Sequence, residues 1–241
     1  MLRQIQTAVA LIYPPRCLGC GGLVESDFGL CGPCWRETPF IGGTICESCG
    51  MPLPGVDDGF RLDCDDCMTH PRVWSQGRAA LLYRDQARAL VLALKHGDRG
   101  DIAKPAAGWM LRAAPALLGD DPLIAPVPLH WTRLLKRRYN QSALLARELA
   151  KQSGIECCVD LLLRRRRTET LDGKTRAQRF VALGDAIALN PRHVAMMRGR
   201  VILLVDDVMT SGATLTACSD ACLKGGAREV RVVVLARVTK Q

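Results

Sequence analysis

The sequence predicts an α/β domain, a mainly parallel sheet flanked by helices, preceded by a small N-terminal module with no apolar core of its own. Three observations predict it. The run Val201-Ile202-Leu203-Leu204-Val205 is apolar without alternation, the habit of a strand buried on both faces inside a parallel sheet. It passes through Asp206-Asp207 and the small polar turn Thr210-Ser211-Gly212-Ala213-Thr214 into an apolar pattern at Leu215, Ala217, Ala221 and Leu223, a helix ending near Gly225. Finally, eight cysteines near the N-terminus form four Cys-x-x-Cys pairs amid Gly, Pro and Asp, with neither helical nor strand period.

A chain of 241 residues holds one such domain plus the module, and we place the boundary between residues 1–72 and 73–241. With 48% apolar but only 5% aromatic residues, the core must be built of Leu, Val, Ile and Ala. No apolar run reaches membrane-span length, and Val9 to Tyr13 is too short for a signal peptide, so a cytoplasmic protein without membrane insertion is expected. The formal charge of +9 is unevenly placed: residues 1–72 carry 5 basic and 9 acidic side chains, and residues 73–241 carry 28 and 15. A nucleic-acid surface, if present, would therefore lie outside the cysteine module.

The cysteine pairs are Cys17 with Cys20, Cys31 with Cys34, Cys46 with Cys49, and Cys64 with Cys67. Each places two thiolates on one tetrahedral Zn²⁺, so two zinc sites follow, and consecutive pairs are favoured as partners because their loops are shorter. Disulfide or redox pairs are the alternative, but four in tandem exceed what redox chemistry needs. Metal would supply the folding energy that the missing core cannot. Cys218 and Cys222, four apart on the last helix, read as small core residues, and Cys157 and Cys158 lack the paired spacing.

After residues 1–16, a lead-in stopped by Pro14 and Pro15, and the module, Ala79 to Tyr83 reads as a strand and Asp85 to Lys95 as a helix. A second helix is expected from Ile102 to Leu118, with Pro105 in its tolerant first turn and Pro115 limiting its end. Leu123 to Val127 is a strand entering Pro126-Val127-Pro128-Leu129-His130. A basic loop with Arg133, Lys136, Arg137 and Arg138 then leads to a helix through Leu144, Leu145, Ala146 and Leu149. Leu161 to Leu163 precede Arg164 to Arg167, and four consecutive arginines are commonly just a solvated turn. Phe180 to Leu189 alternates weakly, like a hairpin, and Glu229 to Val238 supplies the last strand.

Strand, hydroxyl-rich turn and helix N-terminus make an anion cradle, where free amides and the positive end of the helix dipole converge. Adjacent acids beside such a cradle make sense for a ligand with both a phosphate and a sugar: Asp206 and Asp207 can accept ribose hydroxyls, directly or through Mg²⁺. The apolar run, acid pair and Thr-Ser-Gly-x-Thr resemble the phosphoribosyl-pyrophosphate signature of type I phosphoribosyltransferases. With the tandem cysteine pairs, Lys95-x-Gly97, Pro126 to His130, Arg138-Tyr139-Asn140-Gln141 and the arginine-Thr168 stretch, nearly the whole chain resembles the ComF family, also called the GntX family.

That resemblance implies a type I phosphoribosyltransferase fold behind a double zinc ribbon, and a link to DNA uptake in natural transformation. It implies that Asp206 and Asp207 hold ribose and Mg²⁺ as the catalytic pair, while Thr210, Ser211, Gly212, Ala213 and Thr214 hold the 5′-phosphate. His130, Arg133, Lys136, Arg137 and Arg138 would meet the pyrophosphate, with Arg166, Thr168 and Arg179 in a hood loop closing over the donor. Displacement at the anomeric carbon then needs positioning and charge neutralisation more than a dedicated base. Thr210 stands where oxopurine enzymes carry an acid, which disfavours hypoxanthine or guanine as acceptor. The Pro-Val-Pro also resembles glutamine-dependent amidophosphoribosyltransferases, but their N-terminal cysteine nucleophile domain is missing here, so transfer of glutamine ammonia is not expected.

Of the histidines, His130 is the one favoured for function; His96 is less so, and His70 and His193 read as surface or loop residues, with His70 a reserve zinc ligand. Trp131 and Tyr139 could stack on a base, although packing is the commoner role. The competing reading is a non-catalytic adaptor that binds a nucleotide or single-stranded DNA beside competence proteins, through Arg133 to Arg138 and Arg164 to Arg167.

Overall fold

A computed structural model describes residues 14–25, 29–56, 59–96, 99–166 and 186–239, without the side chains of residues 133, 136 and 137. In chain order these residues form helices α1 (Gly32–Glu37) and α2 (Asp65–Thr69), strand β1 (Gln76–Leu82), helices α3 (Asp85–His96) and α4 (Ala103–Ala113) and strand β2 (Leu123–Pro126). Helices α5 (Trp131–Arg137) and α6 (Gln141–Ser153), the short strands β3 (Leu162–Arg164) and β4 (Ile187–Leu189) and helix α7 (Val194–Met197) follow. The chain closes with β5 (Val201–Met209), α8 (Ala213–Lys224) and β6 (Glu229–Arg237).

Four strands make one sheet in the order β1-β6-β5-β2, every pair parallel. The two central strands are the apolar runs, as their freedom from alternation requires. Successive side chains of β5 enter opposite layers: Leu203 and Val205 pack with Leu90, Leu94, Met110, Leu145 and Leu149 of α3, α4 and α6. Ile202 and Leu204 face the other layer, which contains Leu215, Cys218 and Cys222 of α8 together with Trp74 and three cysteines of the N-terminal module, Cys46, Cys49 and Cys67. Thus part of the module serves as a layer of the domain it precedes.

The module also covers the exposed edge of β1. Ile41 N–H donates to Ala80 O at 2.9 Å, Leu82 N–H to Pro39 O at 2.9 Å and Gly77 N–H to Glu47 O at 2.8 Å. This coverage explains why β1 begins at Gln76, three residues before its apolar run. Arg78 is buried there because its guanidinium donates to both Glu47 carboxylate oxygens at 2.7 Å.

Other boundaries moved for local reasons. The helix expected from Ile102 to Leu118 ends at Ala113, and Pro115 opens a separate 3₁₀ turn to Leu117, since proline cannot continue the helical bonding. The basic segment after β2, expected as a loop, is largely the helix α5; Arg138 ends it with φ +65°. The module, read as lacking regular period, contains the single-turn helices α1 and α2 beside its second and fourth cysteine pairs. Of the stretch Phe180 to Leu189, read as a hairpin, residues 180–185 lie outside the described residues, and its end, β4, runs antiparallel to β3.

Candidate functional site

β2 stops at Pro126, paired with Val205, whereas β5 continues for Asp206 to Met209 alongside β6 alone. The acid pair therefore sits at the C-terminal end of β5, just past the point where β2 stops, the usual ligand position in parallel sheets. Ser142 Oγ, in the first turn of α6, donates to Asp206 Oδ1 at 2.8 Å, and Asp207 N–H donates to the same oxygen at 2.9 Å. Lys95 Nζ, from the last turn of α3, lies 3.1 Å from Asp207 Oδ1. Burial, reinforced by the Asp207 charge, pushes the Asp206 carboxyl up to about 7, against the opposing pull of Ser142, the Asp207 amide and Lys95. A carboxyl so placed gains most from a cation or a hydrogen-bond donor brought by a ligand.

The turn after the acids is set by Gly212, whose φ of +83° starts the twelve-residue helix α8 without a side-chain cap. The first helical amides have no intrahelical acceptors, so they and the hydroxyls of Thr210, Ser211 and Thr214 are gathered at one helix start. From behind, Arg72 Nη1 donates to Ser211 O at 2.9 Å, and Arg237 Nη1 to Met209 O at 3.1 Å and Thr210 O at 2.6 Å.

Of the residues expected at a pyrophosphate loop, His130 is buried and caps α5: Thr132 N–H donates to its Nδ1 at 3.3 Å, and Nδ1 also lies 2.8 Å from Thr132 Oγ1. That is a structural duty for the histidine favoured for function. Tyr139 likewise has packing work, its hydroxyl donating to Leu94 O at 2.8 Å, whereas Trp131 is 63% exposed. Asn140 caps α6 through Ser142 N–H and donates to Val127 O at 3.0 Å, fixing Ser142 beside the strand end. Arg133, Lys136 and Arg137 lie on α5, their side chains outside the description. Arg166 is exposed after β3, and Thr168 and Arg179 lie outside the described residues.

Sequence reasoning gave no role to Lys95, Ser142, Arg72 or Arg237. Lys95 stood inside a quoted motif, but nothing in its neighbours signals a carboxylate partner over a hundred positions away. The arginines offered no signal at all, being single basic residues in otherwise ordinary surroundings.

The eight paired cysteines gather as consecutive sets: Cys17, Cys20, Cys31 and Cys34 in one, and Cys46, Cys49, Cys64 and Cys67 in the other, with sulfurs within 4.8 Å of one another. Sulfur separations of 3.7 Å, between Cys20 and Cys31 and between Cys49 and Cys64, match the edge of about 3.8 Å of a tetrahedron with Zn–S bonds near 2.3 Å. They are far too long for a disulfide. Both sets thus fit zinc. His70 stands apart, 3.7 Å from Asp66 and half-exposed. Cys218 and Cys222 face the sheet as core thiols, burial pushing Cys222 up to about 12. His193, expected as a loop residue, lies 3.0 Å from Asp160 and holds its carboxyl below the usual range.

Fold and site together define a phosphoribosyltransferase-like domain carried behind a double zinc ribbon. Residues 8–68 match the double zinc ribbon domain and residues 140–241 the phosphoribosyl transferase domain. The DNA utilization protein YhgH of Shigella flexneri is 29% identical over 94% of this chain and 99% of its own. Competence protein F of Haemophilus influenzae is 28% identical over 92% and 96%, and competence protein ComFC of Bacillus subtilis 27% identical over 89% and 87%. The chain thus carries a double zinc ribbon and a phosphoribosyl transferase domain and is similar along nearly its full length to relatives named for competence and DNA utilization. Among solved structures, the allosteric regulatory enzyme of purine biosynthesis aligns with 60% of this chain and 30% of its own, at 19% identity and a TM-score of 0.39, too loose to support further comparison. Among the described residues, no helix is long and apolar enough to cross a membrane.

Proposed function

We propose that this protein binds phosphoribosyl pyrophosphate with Mg²⁺ at the end of β5, as a phosphoribosyltransferase-type site whose acceptor is unidentified, and that it acts in DNA uptake. The observation that carries this reading is the acid pair, held by Ser142 and Lys95 immediately before the Gly212 turn. Asp206 and Asp207 are hard oxygen donors suited to Mg²⁺, which when bound would neutralise the leaving pyrophosphate. In this reading the two carboxylates orient the ribose hydroxyls, and the amides and hydroxyls of residues 210–214 fix the 5′-phosphate. The basic residues of α5 meet the pyrophosphate, and Arg166, Thr168 and Arg179 close over it. Lys95 compensates Asp207 while the site is empty of cations and can turn to a donor phosphate once Mg²⁺ takes its place. The division at residue 72 into ribbon and transferase-like domain, and a cytoplasmic location, belong to the same proposal. The link to DNA rests on the relatives named for DNA utilization and competence.

Calorimetry with phosphoribosyl pyrophosphate and Mg²⁺ tests it: wild type should bind, and Asp206→Asn with Asp207→Asn should lose binding by about a hundredfold while staying folded. No binding by zinc-loaded wild type defeats the donor reading. A second reading, an adaptor for single-stranded DNA, draws on Trp131, exposed at the start of α5, as a stacking platform. It predicts DNA affinity that falls steeply with salt, and Trp131→Ala should weaken it severalfold.

A further inference from the structure

The turn between β5 and α8 is fastened to the second cysteine centre by two buried cations. Arg72, its side chain 2% exposed, donates through Nε to Cys67 Sγ at 3.2 Å, through Nη2 to Asp66 at 2.5 Å and through Nη1 to Ser211 O at 2.9 Å. One guanidinium therefore joins a metal-ligand thiolate to the turn. Arg237, 4% exposed, holds Met209 O and Thr210 O and lies within Coulombic reach of Cys49. Trp74 completes the junction: its Nε1 donates to Ser48 O, between Cys46 and Cys49, at 2.6 Å. Its ring lies 3.0 Å from where a Gly212 Cβ would stand.

Two consequences follow from elementary chemistry. In a trans peptide the carbonyl and the amide point in opposite directions, so holding Thr210 O and Ser211 O aims the N–H groups of Ser211 and Gly212 away from the guanidiniums. Buried guanidiniums also need counter-charge; Asp66 supplies part of it to Arg72, and four thiolates on one Zn²⁺, with a formal charge of about −2, supply the remainder to Arg72 and Arg237. Protonated or oxidised thiols would not supply it.

We propose that Arg72 and Arg237 are positioning residues that make the second cysteine centre the foundation of the anion-binding turn, so that loading of this centre with metal governs the order of residues 209–213. The centre is then a control point for the site and more than a fold staple. The significance for ligand binding rests on the reading of residues 210–214 as a phosphate cradle; the structural coupling does not. The first centre makes its contacts elsewhere: Cys17 N–H donates to Gly22 O at 2.7 Å, and Gln86 of α3 lies against Gly19.

Hydrogen exchange on the full-length, zinc-loaded protein without ligand tests the coupling. The reporters are Thr216 N–H, which donates to Gly212 O, and Val238 N–H, which donates to Met209 O; Gly154 N–H, donating to Ala150 O at the far end of α6, is the control. Arg72→Met, which keeps bulk without charge, should speed exchange at the reporters about tenfold or more, leave the control unchanged and retain two zinc ions by native mass spectrometry. Arg72→Lys should restore part of the protection, and Cys20→Ser should leave the reporters unchanged despite disturbing the first centre. Unchanged reporters in Arg72→Met, equal acceleration of the control, or the same response in Cys20→Ser would each overturn the proposal. Should Arg72→Met fail to fold or to load both ions, Arg72→Lys decides alone: faster reporters with both zinc ions bound support the coupling, and wild-type protection overturns it. Failure of wild type to bind phosphoribosyl pyrophosphate is a separate result, which removes the donor reading and leaves the exchange result standing.

Discussion

Cys20 of the first cysteine centre is exposed and Cys31 half-buried, whereas Cys46 and Cys49 of the second are wholly buried in a layer with Trp74, Leu123 and Val232. Ligand type and the spacing within each cysteine pair are the same in both, so metal chemistry alone cannot account for the difference. The first centre closes its own loops at the rim of α3. The second occupies a place on the sheet that α8 alone does not cover, and it reaches both the β1 edge and the turn before α8. A zinc site can therefore act as a local staple or as part of another domain's core, and its neighbours decide which.

The largest effect expected from this contrast is on folding. Cys49→Ser removes a buried ligand and leaves a hydroxyl in the core, and should cost more than about 4 kcal/mol or abolish soluble protein. Cys20→Ser at the exposed position should lose one zinc ion while the sheet domain still melts cooperatively. Thermal unfolding with zinc stoichiometry distinguishes them, and equal losses would erase the contrast. A smaller effect follows at the junction. Gly212→Ala places a Cβ 3.0 Å from the Trp74 ring and 3.1 Å from Arg72, at φ +83°, and should cost about 1–3 kcal/mol and weaken donor affinity in step. If denaturant melts show no loss, the turn is less tightly backed than described.

The next effect depends on pH. The folded Asp206 carboxyl is raised to about 7 from an ordinary value of 3.8. At low pH both folded and unfolded states hold the proton. As pH rises past 4 the unfolded carboxyl ionises first, so stability falls until about pH 7 and then levels off. Asp206→Asn should remove this slope and be more stable than wild type at pH 8 by something on the order of 1–4 kcal/mol, measured by urea melts at both ends of the range. A slope that persists in the variant assigns it to another group. Smallest of all, Trp131→Ala should alter melting by less than about 0.5 kcal/mol, because the ring is 63% exposed; a larger loss would give it a packing role.

Where the chain announces itself by local pattern, the sequence was readable. The unbroken apolar run from Val201 to Val205 placed a central parallel strand, the Thr-Ser-Gly turn placed a helix start, and the cysteine intervals paired the ligands correctly. Legibility ended where a residue's meaning depends on distant partners. The polar start of β1 reads as loop until Glu47 comes to bury Arg78, and Lys95 is one more helix-terminal lysine until Asp207 lies beside it. His130 shows a related limit: its position after a strand suggested chemistry, and its capping contact with Thr132 becomes visible only in the fold. The basic run Arg133 to Arg138 has too little apolar period to declare a helix, which forms because the capping histidine and the left-handed Arg138 bound it.

β1 is the earliest strand of the sheet to be synthesised and β6 the latest, yet they are neighbours, and β6 also separates β1 from β5. A nascent chain thus emerges with its ribbon and first strand long before their partner exists, and Arg237, which lies near Cys49, arrives on that same final strand. The contact order is high, so assembly should be slow and late, with a window in which thiols and an open strand edge stand exposed. A chain released before Glu229 would lose far more than its last nine-residue strand: the sheet would be cut in two, and β1 would keep no strand partner in it.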